Sequence, residues 1–184
     1  MRFNDHSELE GKHAFLSPSA YHWLRYSEEK LFERFDTMTA QQRGTVFHAY
    51  AAESIKLGVK LRGNQTLAHY VNDAIGFKMT PEQPLYYSKY CYGTADAISF
   101  RKKQLRIHDL KTGITPANMD QLMIYAALFC LEYEMKPGDI FIELRIYQNN
   151  EVVCYEPDVD EIAHIMDRIV YFSRLLEERE SYEE

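Results

Sequence analysis

A chain of 184 residues that is 46% hydrophobic and 27% charged, with 14 Tyr and 10 Phe, is long enough to bury a substantial core and predicts a single domain over residues 1–184. No apolar run approaches the ~20 residues of a membrane span, and Met1–His6 carries neither the basic nor the apolar part of a leader, so a cytoplasmic protein with no membrane partner is expected. A formal charge of −7, of which the segment Glu177–Glu184 with its five acids and one base contributes −4, counts against a broad, non-specific grip on nucleic acid.

Ser17-Pro18 reads as a helix cap followed by proline at the first helical position, and Tyr21, Trp23, Leu24, Leu31 and Phe32 supply the apolar stripe of a first helix over 18–32. Tyr21, Trp23 and Tyr26 are read as packing for that helix rather than as base-stacking rings. A second helix is predicted from Thr39 to Leu57, stopped by Gly58, and a third, shorter one from Gln65 to Ile75. The stretch Pro84–Phe100, rich in Tyr and β-formers, and the stretch Leu105–Lys111 predict strands joined by the polar Arg101-Lys-Lys-Gln104. Thr115-Pro116 repeats the cap-plus-proline signature and opens a nearly all-apolar helix that ends before Pro137-Gly138. Asp139–Tyr147 and Glu151–Tyr155 form a second hairpin whose Asn149-Asn150 tip suits left-handed turn geometry. Asp158 or Asp160 then caps a last helix, on which Asp167, Glu177 and Glu178 read as a solvated face. This order implies an α/β fold, a central mixed β-sheet flanked by helices. Cys91, Cys130 and Cys154 form no C-x-x-C pair and are read as small core residues.

The most informative local feature is a pair of acids on the first hairpin. If its turn is centred between Lys102 and Lys103, Asp96 lies directly opposite Asp109, with Cβ atoms roughly 4.5–5.5 Å apart. Alternation places Lys111 on the Asp109 face, together with Ile98, Phe100, Leu105 and Ile107, so the acids share a face with core residues. Uncompensated carboxylates are costly there, and a hard cation with an ammonium close by relieves the cost. The alternative is an exposed salt-bridge cluster. At the tip, Arg101, Lys102, Lys103 and nearby Arg106 offer either phosphate contacts or a solvated basic turn. His48 shares a helix face with Gly44, Ala51, Ala52 and Ile55, where small side chains leave room for a ligand, although a hydrogen-bonded core histidine is the commoner reading of that pattern. Glu53 points to another side of the helix and is read as surface charge. Gln121 and Tyr125 are one turn apart and face one way.

In this order the residues resemble the PD-(D/E)XK nuclease superfamily, in its RecB-like and lambda-exonuclease-like branch. Leu16-Ser-Pro-Ser-Ala20 is similar to the opening helix motif of that branch, and Gly44-Thr-Val-Phe-His48 to its histidine-bearing helix. Gly93-Thr-Ala-Asp96 and Asp109-Leu-Lys-Thr-Gly113 are similar to the two catalytic strand motifs, and Gln121-Leu-Met-Ile-Tyr125 to the Q-x-x-x-Y helix. No cysteine stands near Leu24-Arg-Tyr-Ser and none clusters late in the chain, so the iron–sulfur cluster of some relatives is not expected.

The resemblance implies a restriction-endonuclease-like core and a metal-dependent deoxyribonuclease, an exonuclease in view of the Q-x-x-x-Y helix. It implies Mg2+ or Mn2+ held by His48, Asp96 and Asp109, with Asp96, Asp109, Lys111, Gln121 and Tyr125 as the catalytic set and Arg101, Lys102 and Lys103 as contacts to the substrate. DNA with free ends, processed during recombination or repair, is the implied substrate; a strand-annealing or helicase partner and a homo-oligomer are compatible with it. Two other readings stand beside it: a non-catalytic nucleic-acid-binding subunit of a larger DNA-processing complex, and a metal-dependent phosphohydrolase acting on small substrates.

Overall fold

The computed structural model describes residues 14–16 and 18–181. Ser17, the side chain of Tyr21, the opening residues 1–6 and the last three residues of the acidic tail lie outside the described residues. The chain forms two compact units, Met1–Arg43 and Gly44–Glu184.

In the first unit a 3-10 segment, Pro18–Arg25, is kinked at Ala20 and precedes the start of helix α1, Glu28–Leu57. The two helices expected over 18–32 and 39–57 are therefore not divided where the pattern suggested. The segment between Phe32 and Thr39 contains no glycine or proline, and Thr37 accommodates the helix by donating its hydroxyl to the Glu33 carbonyl at 2.8 Å. Phe15 meets Phe35 edge-on at 5.4 Å between ring centres.

The second unit holds the C-terminal part of α1, helix α2 (Thr66–Gly76), strands β1 (Thr80–Ser88), β2 (Cys91–Arg101) and β3 (Gln104–Leu110), helix α3 (Asp120–Glu132), strands β4 (Phe141–Gln148) and β5 (Glu151–Tyr155), and helix α4 (Val159–Ser181). The strands form one five-stranded sheet in the order β1-β2-β3-β4-β5. All neighbours are antiparallel except β3 and β4, which are parallel and take α3 as their crossover. The unit is thus α/β, a mixed sheet with helices packed on it.

Both faces of the sheet are covered. On one, α3 buries Leu122, Ala126 and Phe129 against Leu85, Ile98, Leu105, Ile107 and Leu144, with Ile162 and Ile169 of α4 joining the cluster. On the other, Tyr70, Val71 and Ala74 of α2 pack with Ala51 and Ile55 of α1 against Ala97, Leu110 and Tyr147. One core was expected; the sheet separates two.

The start of α3 differs from the sequence pattern for a reason the contacts supply, the start of α4 agrees with it, and one cysteine departs from its expected burial. Helix α3 starts at Asp120, not at Thr115-Pro116, because Gln148 holds the preceding loop extended. Its amide donates to the carbonyls of Gly113 and Thr115 at 2.6 and 2.8 Å and accepts from the Ala117 amide at 3.3 Å. At the start of α4 the Asp158 amide donates to Glu161 at 2.8 Å, one half of a capping box. Cys130 is buried and Cys91 half-buried as expected of core residues, but Cys154 is exposed on β5, the sheet-edge strand. Among the described residues no helix is long and apolar enough to cross a membrane.

Candidate functional site

The predicted hairpin has its predicted register. Arg101 pairs with Gln104, Ile98 with Ile107 and Ala97 with His108, and Lys102 and Lys103 occupy the tip with φ of 50° and 63°. Continuing that register brings Asp96 opposite Asp109, but the ladder stops one pair short. Asp96 instead turns its side chain into the gap, and its Oδ2 accepts the Leu110 amide at 2.9 Å.

Strand β1 does the same on the other side. Pro81 pairs with Ala97 and Gln83 with Ala95, so Glu82 falls opposite Asp96, yet those two residues do not pair. Glu82 has φ of 50°, a left-handed backbone that a glutamate adopts only when its surroundings over-determine it. Ala95 and Ile98 both join the α3-side core although strict alternation would send them to opposite faces. The ribbon therefore switches faces between them, and Asp96 sits at the switch.

Helix α1 brings the imidazole. Gly44, Ala51 and Ala52 are buried on the face that carries His48, and at Gly44 the helix passes close to Thr112, whose Oγ1 would lie 2.9 Å from a Cβ and would have to move to admit one. His48 Nδ1 lies 3.4 Å from Asp96 Oδ2. That contact raises the imidazole pKa above its usual value despite an opposing contribution from burial. One ligand atom each from His48, Glu82 and Asp96 lies within 4.8 Å of the others.

Asp109 stands next to this triple, not within it. It is 4% exposed, and its Oδ2 is buried without a hydrogen-bond donor among the described residues. Lys111 Nζ approaches that oxygen to 3.1 Å, an ion-pair contact lacking hydrogen-bond alignment. Burial, with the Asp96 charge second, raises the Asp109 pKa, and Lys111 opposes both. Glu82 is pushed the same way by partial burial of its carboxyl and then by Asp96, although the residue as a whole is exposed. Lys111 Nζ also donates to Gln121 Oε1 at 2.8 Å, so α3 reaches the site through the first residue of the Q-x-x-x-Y pattern. Tyr125, one turn on, lies over Gly93, where a Cβ would come within 3.0 Å of its ring.

Of the residues singled out from sequence, His48 and Asp96 come together, with Asp109, Lys111 and Gln121 chained beside them. Arg101, Lys102 and Lys103 do not join them. They mark the far end of the hairpin, five or more residues from Asp96, about 16 Å along an extended strand. Two contributors escaped the sequence reading. Glu82 is one. Tyr70 is the other: it is 2% exposed, and burial raises its hydroxyl pKa, reinforced by Asp96, Glu82 and Asp109.

Three carboxylates against one ammonium and one imidazole leave a local deficit of positive charge that a cation offsets. The donor set fits a divalent ion: carboxylate oxygens suit Mg2+ and Mn2+, and an imidazole nitrogen favours Mn2+ of the two. The buried Asp109 oxygen without a donor is a further acceptor in the same neighbourhood. Comparison with protein-family models, curated proteins and solved structures finds no match to this chain.

Proposed function

We propose that this protein is a metal-dependent deoxyribonuclease with a restriction-endonuclease-like core, acting on DNA ends as an exonuclease. The observation that carries the reading is the convergence of His48, Glu82 and Asp96 within 4.8 Å, beside an Asp109–Lys111 pair on the next strand. Catalytic strand acids, a following lysine and a helical histidine are the parts that the sequence resemblance assigns to phosphodiester cleavage. The exonuclease assignment rests on the Gln121-to-Tyr125 pattern, supported by the Gln121–Lys111 hydrogen bond.

His48, Glu82 and Asp96 would hold Mg2+ or Mn2+, with Asp109 adjacent. Such an ion would lower the pKa of a bound water, making it easier to deprotonate for attack, and would neutralise charge on the phosphate. The protein's own groups supply position. Lys111 is fixed from two sides, by Asp109 and by Gln121, so its ammonium can orient an attacking water or offset charge growing on the phosphate oxygens without reorganising. Asp96 holds the end of β3 through the Leu110 amide and so links the ligand set to the strand that carries Lys111.

The test is incubation with end-labelled linear and circular DNA in Mg2+, Mn2+ or EDTA. Loss of nucleotides from linear DNA alone is expected, abolished by EDTA and by Asp96→Asn or Lys111→Ala. Glu82→Gln is expected to raise the metal concentration needed for half-maximal rate by about tenfold or more. Cleavage indifferent to EDTA, or to all three substitutions, would end the proposal.

A further inference from the structure

Lys111 also borders a pocket that no step above uses. Its volume is about 350 Å3, and Phe47, Gln65, Thr66, Leu67, Leu110 and Asn149 are among its walls. That is within the range of small-ligand sites. Phe47, the neighbour of His48 on α1, is 47% exposed, and the half-buried Leu67 lines the pocket beside it, with the buried Leu110 at its wall.

The polar groups limit what fits. None of the described residues that line the pocket is acidic, so a cation has no counter-charge there. Lys111 is the single cationic group among them, and Gln121 and Asp109 hold its ammonium at the pocket's border, so a phosphate can lie at that border but finds no cation of its own inside the pocket. Among the described residues the side-chain amides of Gln65 and Asn149 have no hydrogen-bond partner, and each can both donate and accept. The lip that carries Asn149 is fixed. Asn150 Oδ1 accepts from the Thr66 backbone amide and hydroxyl at 2.9 and 3.1 Å, while the Asn150 backbone N–H donates to Thr66 Oγ1 at 2.7 Å. This tie across 84 residues holds the β4–β5 turn against the start of α2.

We infer that this pocket receives an unpaired nucleobase of the strand whose phosphate lies at Lys111. A flat, neutral ring with donor and acceptor edges is what one aromatic wall and two free amides accommodate, and amides that serve either role discriminate weakly among bases. The inference rests on the nuclease reading for its substrate class. It adds that the substrate is single-stranded at the site, or is frayed there.

The test is binding of a fluorescent oligonucleotide in Ca2+, measured by anisotropy, with a single abasic residue moved along the strand. One position is expected to weaken binding about fivefold or more when its base is removed. Phe47→Ala is expected to erase that penalty, and Phe47→Tyr, which keeps the ring, to preserve it. A flat abasic profile, or a penalty unchanged in Phe47→Ala, overturns the pocket while leaving Mg2+-dependent cleavage as evidence for the nuclease. A Phe47-dependent penalty without any cleavage upholds the pocket and removes the nuclease; absence of DNA binding in any ion removes both.

Discussion

His108 shows how much a single residue next to the site depends on its surroundings. It is fully buried on β3, its Nε2 has no partner among the described residues, and its Nδ1 lies 3.3 Å from the Tyr147 hydroxyl, which donates to Asp73 at 2.7 Å. Phe77 meets the imidazole edge-on, and the guanidinium carbons of Arg106 and Arg145 lie 4.4 and 4.9 Å from the centre of the same Phe77 ring. Burial, then the charges of Arg145 and Arg106, depress the imidazole pKa from 6.5 to about 3. The unfolded chain takes up a proton as pH falls below 6.5, and the folded chain does not until about 3, so this stability is present above 6.5 and lost across that window. The slope within it is about 1.4 kcal/mol per pH unit. Urea unfolding at pH 7, 6, 5 and 4 should show His108→Leu losing less stability on acidification than the parent chain. Parallel curves would mean that the imidazole is not held neutral.

The turns decide where the site residues fall at the scale of elements. Lys102 and Lys103 both adopt left-handed backbone, as Asn149 and Asn150 do at the other hairpin, but lysine gains nothing there that asparagine or glycine would not supply more cheaply. Replacing Lys102-Lys103 by Asn-Gly is therefore expected to stabilise the protein by about 0.5–1 kcal/mol, read from chemical denaturation. Cleavage should persist in this variant, since the tip is about 16 Å from Asp96 along the strand. A loss of cleavage with stability intact would return Lys102 and Lys103 to the substrate contacts. This turn is also why the Asp96–Asp109 register was legible in the sequence: a short polar tip between two β-forming runs permits few alignments. Glu82 was not legible, because Pro81 and Pro84 obscure the start of β1 and because the bend that turns its carboxylate toward Asp96 arises from pairing with β2, not from its own neighbours. The same holds for the beginning of α3. Thr115-Pro116 has the right local chemistry for a helix cap, but Gln148, thirty-three residues away, takes those carbonyls first.

Charge is the property of the whole molecule that most constrains the nuclease reading. The formal charge is −7, four units of it in Glu177–Glu184, and the candidate site adds Glu82, Asp96 and Asp109 where a phosphate would have to approach. DNA should therefore bind weakly in EDTA and gain affinity when a divalent ion fills the site, because the ion converts a repulsive surface into an attractive one. Monovalent salt should matter less than it does for proteins that grip the backbone broadly. A protein neutralising six to ten phosphates loses about 10³–10⁵ in affinity between 50 and 200 mM salt. Here Lys111 and the hairpin-tip cations offer about four contacts at most, so at fixed excess Ca2+ the slope of log affinity against log salt should be no steeper than about −4. Anisotropy titrations across that salt range measure it directly. Tight binding in EDTA with a slope near −8 would require an extended basic surface, and the chemistry would then have to be sought away from the acids of β1, β2 and β3.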